Sequence, residues 1–307
     1  MTREEIAQKK IAVLMGGLSA EREVSLRTGA AVLKALREAN LDAVGIDAGR
    51  DLPQQLRDAG AEVAFIALHG RFGEDGTVQG LLELLSIPYT GSGVRASSVA
   101  MDKITSKRLL LQAGIGTPDF AVLEAQDDLG VSITGGNYPK VVKPACEGST
   151  IGITIARTAQ ELQQGVEAAR QCDAQVLVEA FVAGMEVTVG VLDGQALPII
   201  QVVPKGGFYD YTAKYTAGQT EYILPAPLSP ELTAELQRQA VVAAAALGCC
   251  GAVRVDFIVS DNQPQCLEVN TIPGMTETSL LPKAARYAGM SFRDLALSIL
   301  AGAGLNK

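Results

Sequence analysis

Residues 253–270, VRVDFIVSDNQPQCLEVN, alternate apolar and polar side chains on either side of a short turn. Successive side chains of a strand point to opposite faces, so Val253, Val255, Phe257 and Val259 take one face of a sheet. Leu267 and Val269 do the same on the second run, and Asp261-Asn262 supplies the turn that folds the two runs into a hairpin. With both apolar sets on the core face, Arg254, Asp256, Glu268 and Asn270 share the opposite one, beside Ile258 and Cys266, and Asp256 comes close to Glu268. Two carboxylates that close repel strongly in a poorly solvated site, and a cation between them removes the conflict. Two carboxylates and an amide oxygen suit Mg²⁺. The same pattern also fits the exposed polar face of an ordinary hairpin. Asn270 in step with Glu268, followed by the turn Pro273-Gly274, favours the metal.

Outward from this hairpin the chain changes texture twice. KIAVLMGG (10–17), DAVGIDA (42–48) and VAFIAL (63–68) read as buried strands, with helix-period segments at 21–40 and 75–85, a βαβα order that implies a parallel sheet. A second segment follows, with a helix at 101–114, strands TPDFAVL (117–123) and YPKVVK (138–143), and a helix at 158–172. A third carries hairpins turning at Asp193-Gly194 and Asp261-Asn262, a polar stretch at 205–222 and an alanine-rich helix near 230–247. The expected division is 1–96, 97–181 and 182–307, with 205–222 as a candidate lid.

Composition limits the partners. The 307 residues are 48% hydrophobic, enough to bury a large core. A net charge of −8 argues against sequence-independent nucleic-acid binding, which needs a basic surface, and leaves a small molecule as the expected partner. Five cysteines without CxxC spacing fit a reducing compartment. The charged first ten residues carry no apolar signal core, and no run reaches the ~18 apolar residues of a membrane span, so a cytoplasmic protein is expected.

Two loops invite an anion. Lys143 ends a strand and is followed by ACEGSTIG (145–152), whose backbone N–H groups could cradle a phosphate or close a plain hairpin. Lys103, at a helix start, is a second candidate cation. Gly16-Gly17 ends the first strand, but GGLSAE is not G-x-G-x-x-G, so a tight turn is as good a reading as a dinucleotide site. His69, at a strand C-terminus, is either hydrogen-bonded structure or a former of a site.

Taken together, GGLSAEREVSLRTG, HGRFGEDGTVQGLLE, MDKITSK, VVKPACEGSTIG, AKYTAG, VRVDF and LEVNTIPGMT closely resemble the D-alanine–D-alanine ligases of the ATP-grasp superfamily, in order and over nearly the whole chain. The resemblance implies an α/β ATP-grasp fold, with a Rossmann-like N-terminal domain and two α+β subdomains that clamp ATP. It implies ATP-dependent joining of two D-alanines through an acyl phosphate, two Mg²⁺ ions with Mn²⁺ as a substitute, and a homodimer.

Residue by residue, the resemblance assigns Lys103, Lys143, Glu147, Gly148, Ser149 and Lys214 to the nucleotide, with Glu179 where the strand backbone meets adenine and Glu186 at the ribose. Asp256, Glu268 and Asn270 match metal ligands. Glu21 matches the residue that takes the ammonium of the first D-alanine, with His69 beside it and Ser149 and Tyr215 as its hydrogen-bonded partners. Ser279 and Leu280 match the pocket for the second carboxylate. Arg254 and the Gly274 N–H match the oxyanion stabilisers.

Three residues depart from the family pattern: Leu18 replaces the threonine of GGTS, Cys146 stands where arginine is common, and Ile272 replaces a small polar residue. Cys146 costs the loop a positive charge and introduces a candidate target for thiol reagents. D-lactate or D-serine as second substrate, a nicotinamide-dependent dehydrogenase and a silent ATP-binding homologue are the competing readings. Lys214 and Tyr215 in AKY favour D-alanine, the missing fingerprint disfavours the dehydrogenase, and the intact Arg254, Asp256, Glu268 and Asn270 disfavour the silent homologue.

Overall fold

The structure, a computed structural model, describes residues 1–125, 127, 137–146, 148, 152–206, 216 and 218–307. A parallel sheet in the order β2-β1-β3 is built from β1 (Ile11–Met15), β2 (Ala43–Asp47) and β3 (Val63–Ile66). Strands covered on both faces read as unbroken apolar runs, as IAVLM and VAFI do. The helices around it are α1 (Arg3–Ala7), α2 (Arg22–Glu38), α3 (Leu52–Asp58) and α4 (Thr77–Leu84). The first and third have 5 and 7 residues, too short to show a helical period in the sequence. Thr2 and Glu5 close a capping box on α1, which gives that short helix its start.

After α5 (Val94–Met101), Asp102 begins α6 (Lys103–Gln112) by accepting the N–H groups of Ile104 and Thr105 at 2.9 and 3.0 Å. An antiparallel sheet follows, ordered β4-β7-β5-β6, from β4 (Phe120–Leu123), β5 (Lys140–Pro144), β6 (Thr154–Ala156) and β7 (Val176–Ala180), with α7 (Ala159–Arg170) against one face. Val142, Val176 and Val178 point into that helix-covered core. By the period of two, Lys143, Leu177 and Glu179 point the other way.

The last sheet runs β11-β10-β8-β12-β13, with β9 on its flank: β8 (Met185–Leu192), β9 (Gln195–Ala196), β10 (Ile200–Pro204), β11 (Thr220–Ile223), β12 (Ala252–Ser260) and β13 (Gln263–Asn270). Helix α8 (Pro230–Ala246) covers Val187, Val189, Val253, Val255 and Phe257 on one face. Two further helices, α9 (Leu280–Tyr287) and α10 (Phe292–Ala301), put Leu281, Leu295 and Leu300 into one core with Ile11, Val13 and Phe65 of the first sheet. Helix α6 lies between the antiparallel sheets: Leu110 joins the core of the larger one and Ile104 packs with Leu177 of the smaller. Its charged residues are therefore held between two rigid layers.

The hairpin β12–β13 departs from strict alternation. Asp256 pairs with Glu268, as the alternation requires, but Phe257 pairs with Cys266, so Leu267 is the extra residue of a β-bulge. The bulge reverses two expected positions. Cys266 is fully buried in the core, and Leu267 turns to the face that carries Glu268.

Candidate active site

Two cavities meet beside this hairpin. The first, about 450 Å³, lies between the antiparallel sheets and is lined by Lys103, Lys143, Glu179, Glu186, Asp256 and Glu268, among others. The second, about 300 Å³, opens towards the parallel sheet and is lined by Glu21, His69, Arg254, Asn270, Gly274 and Ser279, with Leu280 at its edge. Gly148 and Glu268 line both. The candidate residues that fall among the described ones thus gather around two adjoining spaces. Glu147, Ser149, Lys214 and Tyr215 lie outside the described residues, as does most of the candidate lid at 205–222.

At the wall of the first cavity, and just behind it, one carboxylate holds two lysines. Lys143 Nζ sits 2.6 Å from Glu179 Oε2, and Lys107 Nζ sits 2.8 Å from Oε1, off the angle of a hydrogen bond, so that contact counts as an ion pair alone. Burial works to raise the Glu179 pKa, but Lys143 and Lys107 together outweigh it and hold the carboxyl below its usual range. Burial likewise opposes the charge on each lysine. It prevails at Lys107 and Lys103, whose pKa values fall, whereas at Lys143 the pull of Glu179 prevails and the value rises. The resemblance linked Glu179 to adenine through its strand backbone and is silent on its side chain, which grips both lysines. Lys107 was missed as a site residue, although it stands four residues after Lys103, one helical turn away.

At the hairpin, Arg254 forks onto Asp256, with Nε donating to Oδ1 at 2.9 Å and Nη2 to Oδ2 at 2.7 Å. Thr188 Oγ1 donates to Oδ1 at 2.6 Å and Asn270 Nδ2 to Oδ2 at 3.1 Å. A carboxylate has about four acceptor positions, so those of Asp256 are taken. Its charge is thus compensated by Arg254 on the face it shares with Glu268. Thr188, reached through the β8–β12 pairing, carried no signal in the sequence beyond its strand parity.

In the second cavity, Glu21 is buried just ahead of α2, and a Cβ on Gly70 or Gly148 would come within 2.8 or 3.1 Å of its Oε2. Gly70 also has φ +67, so both its conformation and its contact favour glycine. His69 is buried, with Thr28 Oγ1 3.1 Å from Nε2 and Glu74 Oε1 3.4 Å from Nδ1. Burial lowers its pKa, but Glu74 and then Glu21 reverse the sign and leave it raised. Ser279 stands at the start of α9, where its Oγ accepts the Thr276 N–H at 3.1 Å and is 2.8 Å from Thr276 Oγ1. Leu280 follows as the first helical residue, next to backbone N–H groups suited to a carboxylate.

The departures have definite places. Leu18 is exposed, Ile272 lines the second cavity, and Cys146 is exposed beside Asp173, whose carboxylate accepts the Cys146 N–H at 2.8 Å. Partial burial, Asp173 and Asp102 push the Cys146 thiol up to about 12, so it stays protonated and a poor nucleophile at neutral pH. Gly16 and Gly17, at φ +75 and +84, form a tight turn bridged by the Arg22–Asp47 ion pair at 2.5 Å.

A parallel-sheet domain followed by two antiparallel sheets, with lysines on one and carboxylates on the other across a shared cavity, defines the ATP-grasp fold. Residues 47–92 match the family model described as the D-ala D-ala ligase N-terminus, and residues 109–301 match that of the D-ala D-ala ligase C-terminus. A D-alanine–D-alanine ligase of Syntrophotalea carbinolica is 66% identical over 309 residues, covering 100% of both chains, and one of Citrifermentans bemidjiense is 53% identical, covering 99% of each. The crystal structure of the D-alanine–D-alanine ligase from Bacillus anthracis complexed with ATP has a TM-score of 0.85 at 35% identity, covering 96% of this chain and 97% of that one. The chain belongs to the D-alanine–D-alanine ligase family.

Proposed function

We propose that the protein joins two D-alanines into D-alanyl-D-alanine, converting ATP to ADP and phosphate, as a step in peptidoglycan precursor synthesis. The observation that carries this reading is the common wall of the two cavities, where Glu268 and Gly148 border both a lysine-rich space and a space bounded by Glu21 and Ser279. A carboxylate is a poor electrophile until its oxygen is made a leaving group. Transfer of the γ-phosphoryl group of ATP onto the first D-alanine does this, and it requires two anions to meet.

Lys103 and Lys143 offset that repulsion at the phosphates, with Glu147, Gly148, Ser149 and Lys214 completing the nucleotide contacts and Glu179 and Glu186 at the adenosine end. Glu21 holds the ammonium of the first D-alanine, supported by His69, Ser149 and Tyr215. Ser279 and Leu280 take the carboxylate of the second. Arg254 and the Gly274 N–H receive the oxyanion formed when the second amine attacks; donors of this kind are each worth roughly 3 to 4 kcal/mol in rate.

The donor set fits Mg²⁺, and Mn²⁺ in its place. Glu268 and the Asn270 amide oxygen are hard ligands on one sheet face, and phosphate oxygens complete the set. Asp256, on the same face, would be the third protein ligand of such an ion. Bound there, two ions would neutralise charge on the β- and γ-phosphates.

Segments 1–96, 97–181 and 182–307 act as the substrate-binding, central and C-terminal parts, and 205–222 closes as a lid that keeps water from the acyl phosphate. By the family resemblance the enzyme works as a cytoplasmic homodimer on small-molecule substrates. Phosphate release with ATP and Mg²⁺ should require D-alanine, ignore L-alanine and give the dipeptide by mass. Release without D-alanine, or a depsipeptide preferred when D-lactate competes, would contradict the reading.

A further inference from the structure

Lys107 lines neither cavity, yet it is a charged side chain 1% exposed in the middle of α6. An ammonium taken that far out of water is strongly destabilised unless its surroundings compensate it. Its surroundings are fixed. Nζ donates to Thr117 Oγ1 and, at 3.4 Å, to the Pro118 carbonyl, and lies 5.3 Å from the centre of the Phe120 ring. Thr117 Oγ1 donates in turn to the Cys266 carbonyl at 2.8 Å, which ties the ammonium to β13.

The partner that matters is Glu179. Its two oxygens face two lysines, Lys107 from behind at 2.8 Å and Lys143 from the cavity side at 2.6 Å. Lys107 and Glu179 have side-chain exposures of 1% and 2%, whereas Lys143 has 12% and lines the cavity. Two ammoniums and one carboxylate leave a surplus of one positive charge, and the exposed member of the set is where an anion can reach it. Without Lys107, Lys143 and Glu179 would be a neutral pair, and a phosphate would have to compete with Glu179 for the Lys143 ammonium, with Lys103 as the other cation of that cavity.

We propose that Lys107 is a positioning residue for the nucleotide polyphosphate: it neutralises Glu179 from the buried side and so leaves the charge of Lys143 to the phosphates. This rests on the reading of Lys143 as a phosphate contact. The role concerns charge at the phosphates and acts through the Glu179 side chain rather than the strand backbone assigned to adenine, which separates it from a purely structural one.

The experiment compares the affinities of the full-length protein for ATP and for adenosine by calorimetry, in the presence of Mg²⁺, with a thermal melt for each variant. Lys143→Met should lower the ratio of ATP to adenosine affinity; if it does not, the assignment of Lys143 itself fails. With that established, Lys107→Met should lower the same ratio roughly tenfold, the size expected for one charge-assisted contact, with adenosine affinity unchanged. Equal losses for ATP and adenosine, or no loss for either, would overturn the proposal. Lys107→Arg keeps the charge behind Glu179 and keeps the test open if Lys107→Met does not fold. It should show a near-native ratio, and a ratio as low as that of Lys143→Met would overturn the proposal.

Discussion

Arg254 carries two duties that compete for one guanidinium. In the structure its fork is on Asp256, and in the proposed reaction it meets the oxyanion. Arg254→Ala is therefore expected to lower kcat by roughly 100-fold or more, with a smaller change in the KM for ATP, which steady-state kinetics would detect. His69 offers a pH-dependent readout. Its pKa is raised above the ordinary 6.5 because Glu74 and Glu21 outweigh burial, with Thr28 as the neutral partner on its other nitrogen. The folded state then binds the proton more tightly than the unfolded one. The resulting stability is fully present below 6.5 and is lost as pH rises through the folded value. Urea midpoints should show the protein's advantage over a His69→Gln variant shrinking as pH is raised from below 6.5 to well above it. An advantage that holds steady or grows over that range would contradict the assigned sign.

At the level of elements, the hairpin β12–β13 shows how far alternation can be read. It located Arg254, Asp256, Glu268 and Asn270 on one face and Val253, Val255 and Phe257 on the other, because burial on one side enforces the period of two. The bulge at Leu267 was not legible. A single extra residue leaves a cysteine and a leucine equally acceptable in the core, and only the pairing with β12 decides between them. Asp256 looked like an unrelieved neighbour of Glu268 for a related reason. Its compensating fork comes from Arg254, two residues away on the same strand, and Thr188 reaches it from a strand 68 residues distant. Lys107 escaped notice because a lysine on a helix is ordinarily solvated; its burial depends on two sheets closing around α6. Phe257 is fully buried where α8 meets the sheet, so Phe257→Ala should cost about 3–5 kcal/mol in chemical denaturation, while Ile258→Ala on the opposite face should cost less.

Across the whole molecule, the arrangement is two cavities joined at one wall rather than a single pocket. The parallel sheet contributes Glu21 and His69 at its carboxyl end, the smaller antiparallel sheet contributes Lys143 and Glu179, and the larger contributes Asp256 and Glu268. Helices α9 and α10 pack on the first sheet and present Ser279 back towards Glu21, so residues far apart in sequence share one rigid frame. The central claim is that a phosphoryl group crosses the wall between Gly148 and Glu268 from nucleotide to amino acid. The most direct test follows oxygen: D-alanine labelled with ¹⁸O in its carboxylate is turned over with unlabelled ATP, and the released phosphate is analysed by mass. Passage through an acyl phosphate predicts that an ¹⁸O atom from the carboxylate appears in each phosphate released with the dipeptide. Unlabelled phosphate accompanying dipeptide formation would contradict the account.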